Sequence, residues 1–103
     1  MFTVLYRWAI KPGFEEQFIE SWSVITRYYR ENSDGACGSR LHQGSDGIWY
    51  AYAQWKSDEH RQNAFKDRPD LPEREKMIEA IEQSFPEIRL ETVSDLLIAP
   101  EMN

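Results

Sequence analysis

The stretch Ser45-Asp46-Gly47-Ile48-Trp49-Tyr50-Ala51-Tyr52-Ala53-Gln54-Trp55 reads as a tight turn feeding a strand in which half the side chains are aromatic. Trp49, Ala51, Ala53 and Trp55 share one parity, and Ile48, Tyr50, Tyr52 and Gln54 share the other. A strand sends alternate side chains to opposite faces of its sheet. Neither set is simply polar, so neither face is expected to meet open water. Two large rings separated by two alanines leave a hollow, which suits a flat organic ligand. The same pattern also serves a core strand with uneven packing demands.

Working back from this strand, Ala36 to Gln43 forms its hairpin partner across a turn at Gly44 to Gly47. Before it, Phe14, Phe18, Trp22, Ile25 and Tyr29 recur at spacings of four, four, three and four. That is one apolar stripe of a helix running to about Arg30, entered through Lys11-Pro12-Gly13. Phe2 to Ile10 alternates as a first strand. On the other side, Ser57 or Asp58 caps a short helix through Phe65, and Asp67-Arg68-Pro69 breaks it. Asp70 is expected to cap a further helix, with Met77, Ile78, Ile81 and Phe85 on its buried face and Pro86 as its stop. Ile88 to about Leu97 is expected as the last strand.

The order strand, helix, strand, strand, helix in two pieces, strand predicts an α+β, ferredoxin-like fold. It is a four-stranded antiparallel sheet with helices on one face, in a single domain over residues 1–103. A chain of 103 residues has a modest core, so pairing with a second copy is a natural way to enlarge it.

Composition narrows the partners. A net charge of −6 with scattered Lys and Arg argues against nucleic acid, and no basic amphipathic helix offers itself to a membrane. One cysteine, Cys37, rules out an internal disulfide and a Cys-based metal cluster. With no signal-peptide pattern and no apolar run of membrane-spanning length, the expected location is the cytoplasm.

The chain resembles the antibiotic biosynthesis monooxygenase family of the dimeric α+β barrel superfamily over nearly its whole length. The resemblance rests on Lys11-Pro12-Gly13-Phe14-Glu15-Glu16 at the entry to helix one and Gly38-Ser39-Arg40-Leu41-His42 on strand two. It rests also on the third strand closing in Trp55 before Ser57-Asp58-Glu59. It implies a homodimer in which two sheets pack face to face as a barrel, so that both parities of the aromatic strand are covered. It also implies oxidation of a small aromatic, phenol or hydroquinone-type molecule by oxygen without metal, haem or flavin. A haem-degrading branch places Asn on the first strand, and Phe2 to Ile10 contains none. A non-catalytic binding or stress-response domain of the same fold is the alternative.

In such chemistry the protein supplies a base, a donor that stabilises an anion and a dry cavity. Arg40 and His42 stand two apart on one strand and share a side, so one is a candidate anion stabiliser and the other a candidate base. His60, early in a helix, is a third catalytic candidate. Each also has a plainer role as an exposed polar residue. Trp55, Trp49, Tyr50, Tyr52 and Trp8 are the candidates to hold the ring, against plainer roles as packing anchors or interface aromatics.

Overall fold

The computed structural model describes residues 1–66 and 68–98. They form β1 (Phe2–Ile10), α1 (Glu15–Asn32), β2 (Ala36–Gln43), β3 (Trp49–Trp55), α2 (Asp58–Lys66), α3 (Glu73–Ala80) and β4 (Ile81–Glu91). The strands make one antiparallel sheet in the order β2-β3-β1-β4, the expected ferredoxin-like arrangement.

Side-chain parity decides which face the helices cover. Trp8 pairs with Trp49 and Phe2 with Trp55 across β1 and β3, so these residues share one face. Phe18 of α1 meets the rings of Trp8 and Trp49 edge-on at 5.1 and 5.9 Å. Phe65 of α2 meets Trp55 at 5.8 Å, and Ala80 of α3 is fully buried in the same core. All three helices therefore lie on the Trp8–Trp49–Trp55 face. Leu5, Arg7, Tyr50, Tyr52, Arg40 and His42 lie on the other face, which no helix covers among the described residues.

The α1 stripe packs as its spacing predicts. Phe18 is fully buried and Phe14 and Trp22 pack against the core. Ser57 Oγ accepts the His60 N–H at 3.2 Å and so caps α2.

Three expectations about the C-terminal third are corrected. The first concerns α3, where Pro72 rather than Asp70 occupies the cap position, and no side chain caps the helix. Its end also differs, because α3 stops at Ala80 and Ile81 turns to extended backbone at φ −85, ψ 124. Ile81, Phe85 and Pro86 consequently belong to β4. The spacing of Ile81 and Phe85 fits a strand face as well as a helix stripe, and the ladder with β1 decides between them. Two register shifts in that ladder then send Ile81 to the helix side, opposite Ile10, and Phe85 to the open side, opposite Arg7. Pro86 sits in the second irregularity, a place in a sheet that tolerates a missing N–H. The third correction is that β4 ends at Glu91, short of Leu97. Asp67, part of the expected break, lies outside the described residues.

Candidate functional site

A cleft of about 350 Å³ opens between the helix side of the sheet and the three helices. Its floor is Tyr6 and Trp8 of β1 with Ala53 and Trp55 of β3. Of the two alanines between Trp49 and Trp55, Ala53 lines the cleft, while Ala51 is buried in the core against Phe18 and Trp49. Trp22 and Tyr29 of α1, Phe65 of α2 and Met77 of α3 form the walls. Phe65 stands edge-on to both Trp55 and Tyr29, at 5.8 and 5.2 Å, so these rings brace one another.

A charged cluster built on the buried Arg61 stands behind the floor, at the Tyr6 hydroxyl. Arg61 is 5% exposed; its Nη1 donates to the Tyr6 hydroxyl at 3.1 Å and is ion-paired with Glu87 at 3.0 Å, while its Nε donates to Asp58 at 3.1 Å. The guanidinium also lies over the Phe2 and Phe65 rings. Burial pushes the Tyr6 hydroxyl above its ordinary range, outweighing the opposing pull of Arg61, so Tyr6 is protonated at neutral pH. Its oxygen accepts from Arg61, and its own proton has no acceptor among the described residues. Tyr6 thus keeps a proton to donate, and its side chain forms part of the cleft floor. Ser39 Oγ, also on the lining, is buried without a partner.

Desolvation pushes the Asp58 carboxyl up, but hydrogen bonds from Arg61 and Gln62 and the charges of Arg61 and Arg89 outweigh it and hold the group below its ordinary range. A carboxyl held low stabilises the fold above its unfolded value, and that gain is lost as pH falls through the folded value. The expected result is that Asp58→Asn melts below the parent at neutral pH and that the gap closes on acidification. Parallel melting curves across the acid range check this, and a constant gap would remove Asp58 as the titrating group.

A second cleft, about 410 Å³, adjoins the first and shares Trp22, Thr26, Arg30, Gly38, Ser39 and Gln54 with it. The junction is an irregularity of β2. One extra residue lies between Ala36, opposite Trp55, and Ser39, opposite Ala53, and Gly38 takes φ +95 there.

The sequence candidates divide among these places. Trp55 and Trp8 line the first cleft. Arg40 and Tyr52 line the second, and Gln54 donates to the Tyr52 hydroxyl at 3.0 Å. Trp49 is buried in the core against Phe18. Tyr50 is half-buried on the open face, its hydroxyl bonded to Asp46. His42, opposite Tyr50, is exposed on the edge strand and lines neither cleft. His60 belongs to a separate hollow near Asp34, with Nδ1 on Ser57 Oγ at 2.7 Å and Nε2 3.7 Å from Asp34.

Sequence reasoning missed Tyr29, Phe65 and Met77 as walls, and Arg30, Arg68 and Arg74 at the rim. Tyr29 closes the α1 stripe and was a visible signal, and Arg30 follows it on α1; the others come from α2, α3 and their connection, whose placement only the fold reveals. Among the described residues, no group of three or more His, Cys, Asp or Glu is placed to hold a metal ion. No helix there is long and apolar enough to cross a membrane.

Residues 1–82 match the sequence profile of a family described as Antibiotic biosynthesis monooxygenase. No curated protein matches the chain. Among solved structures, Rv0793 from Mycobacterium tuberculosis is similar at 14% identity with TM-score 0.73, covering 93% of this chain and 98% of its own. SnoaB, a cofactor-independent oxygenase from Streptomyces nogalater, is similar at 14% identity with TM-score 0.74, covering 92% and 95%. Identity this low establishes a shared fold and leaves activity to the site.

Proposed function

The chain belongs to the antibiotic biosynthesis monooxygenase family, and on that premise we propose that it oxidises a small phenol or hydroquinone-type aromatic with molecular oxygen, without metal, haem or flavin. The observation that carries this reading is the cleft itself, about 350 Å³ walled by mutually braced rings with the protonated Tyr6 forming part of its floor. Supporting it, SnoaB shares the fold and is itself a cofactor-independent oxygenase.

In this reading a planar substrate lies against Trp55 and Trp8, and Tyr6 donates to its oxygen. Ionisation of the phenol raises the ring's electron density, and one electron passes to oxygen. The radical pair joins as a hydroperoxide at ring carbon. Loss of water then gives the quinone, so that phenol and oxygen become quinone and water. Aromatic walls exclude bulk water and strengthen the Tyr6 contact. Proton removal is the step for which the lining, among the described residues, offers neither imidazole nor carboxylate. The substrate is therefore one whose phenol ionises beside a guanidinium rather than one needing a strong base. Arg40 and Tyr52, across the Gly38 junction, are proposed as a second contact with a larger ring system.

We further propose a cytoplasmic homodimer built on the open sheet face. That face carries Leu5, Tyr50, Tyr52 and Phe85, and Ile88 and Leu90 are 39% and 40% exposed on it. Val93, Leu96, Leu97 and Ile98 are exposed beyond it and add apolar surface. Native mass should read twice the chain mass.

Oxygen uptake with anthrones, naphthols and hydroquinones, in metal-free and flavin-free buffer, tests the reaction. The parent should exceed the spontaneous rate, and Trp55→Phe should lower kcat/KM about tenfold through lost ring positioning. Binding without uptake for every compound would favour the second reading, a non-catalytic binding domain, which the missing base in the lining supports.

A further inference from the structure

The chain carries a net charge of −6, yet the rim of its apolar cleft is cationic. Arg30 from the last turn of α1, Arg68 from the α2–α3 connection and Arg74 from the first turn of α3 all line the cleft, and among the described residues no Asp or Glu does. Among the described residues none of the three is ion-paired, although Glu73 and Glu75 flank Arg74 in sequence. The contrast with Arg61 is instructive, because that guanidinium is spent on Asp58 and Glu87. Arg74 is held in place at the wall, where its Nη2 donates to the Tyr29 hydroxyl at 3.3 Å. Tyr29 in turn is braced by Phe65.

Unpaired guanidinium groups at the mouth of an aromatic cleft define a ligand with two parts. The ring walls take a planar apolar body, and the planar fork of a guanidinium matches a carboxylate with two parallel hydrogen bonds. The cleft volume suits a body of about two or three fused rings. We propose that the cleft selects aromatic carboxylic acids, the fused rings lying against Trp55 and Phe65 and the carboxylate meeting Arg74 with Arg30 and Arg68. This deepens the oxygenation reading and rests on it for the identity of the site: the acceptor of oxygen would be a phenol that also bears an acid group. In a protein of overall negative charge, this local reversal of sign is what admits an anion.

The test compares 2-naphthoate with its neutral methyl ester, followed by quenching of intrinsic tryptophan fluorescence at low and high salt. The acid is expected to bind about tenfold or more tightly than the ester at low salt, consistent with a charge-assisted bidentate pair. Salt should shrink that ratio. Arg74→Gln should bring the acid-to-ester ratio close to one, and Arg74→Lys should restore part of it. Arg30→Gln provides an independent variant should Arg74→Gln disturb Tyr29, which its melting curve would reveal. An ester that binds as well as the acid, or a ratio unmoved by both Gln variants, overturns the proposal, as does failure of both probes to bind. Oxygen uptake separates the two readings. Uptake from neutral hydroquinones with no acid preference sinks the anionic class alone, whereas acid-selective binding with no uptake from hydroxynaphthoates sinks the oxygenation alone.

Discussion

Phe18→Ala is expected to lower stability by about 3–5 kcal/mol, a large share of the roughly 5–15 kcal/mol that holds a small domain folded. Phe18 is fully buried, and its ring meets both Trp8 and Trp49, at 5.1 and 5.9 Å. Those two tryptophans face each other across the β1–β3 ladder, so neither can slide into the vacated space without breaking register. The surrounding structure relaxes little, and a cavity remains. Urea unfolding of the parent and the variant checks this through a fall in midpoint at unchanged slope. A loss under about 1 kcal/mol would mean that the helix, not the ring, anchors the sheet.

Gly35→Ala should cost about 3 kcal/mol or more, from two sources that can be separated. Gly35 has φ +80, where an L side chain is strained, and a Cβ there would stand 2.5 Å from the His60 ring and 2.8 Å from its Cβ. Neither side yields easily. The Gly35 carbonyl accepts Lys56 N–H at 2.8 Å, and His60 is fixed to Ser57 at the head of α2. Gly13→Ala is the control, because Gly13 has φ +89 with nothing within 4 Å of its added Cβ. It should show the backbone cost alone, about 1 kcal/mol. Adding His60→Ala to Gly35→Ala should return the part of the collision made by the ring, at 2.5 Å, and leave the contact with the remaining Cβ and the backbone part. Equal losses at Gly13 and Gly35 would dismiss the collision.

Periodicity made β1, α1, β2, β3 and α2 legible, because each carries a long run of one period bounded by Gly, Pro or a capping Ser. It failed from Ile78 to Pro86, where a four-residue spacing satisfies helix and strand alike. The deciding hydrogen bonds run to β1, some seventy positions away. Of the hollow expected between the tryptophans, only the Ala53–Trp55 end opens on the cleft, and Ala51 packs with Trp49 in the core. Which ring lines the cleft was not legible: Trp49 and Trp55 share a face, but Phe18 covers one and Phe65 borders the other. Arg40 and His42 do share a side, as their spacing requires, and it is the side away from the helices. Spacing reports that two residues face together, and only packing reports what they face. Arg30 suits the helix dipole at the end of α1, which concealed its second position on the cleft rim.

The irregularity around Pro86 bears on how the chain behaves at high concentration. β4 is an edge strand of 11 residues, laddered only to β1. A flat edge of that length is a template on which a foreign strand can add and a fibre can grow. Pro86 withholds an N–H from any incoming strand, the kink beside it breaks the straight run of donors, and Glu82, Glu87, Arg89 and Glu91 add charge along the same border. The residue that sits in a break of the β1–β4 ladder is thereby a guard against endless strand-by-strand growth.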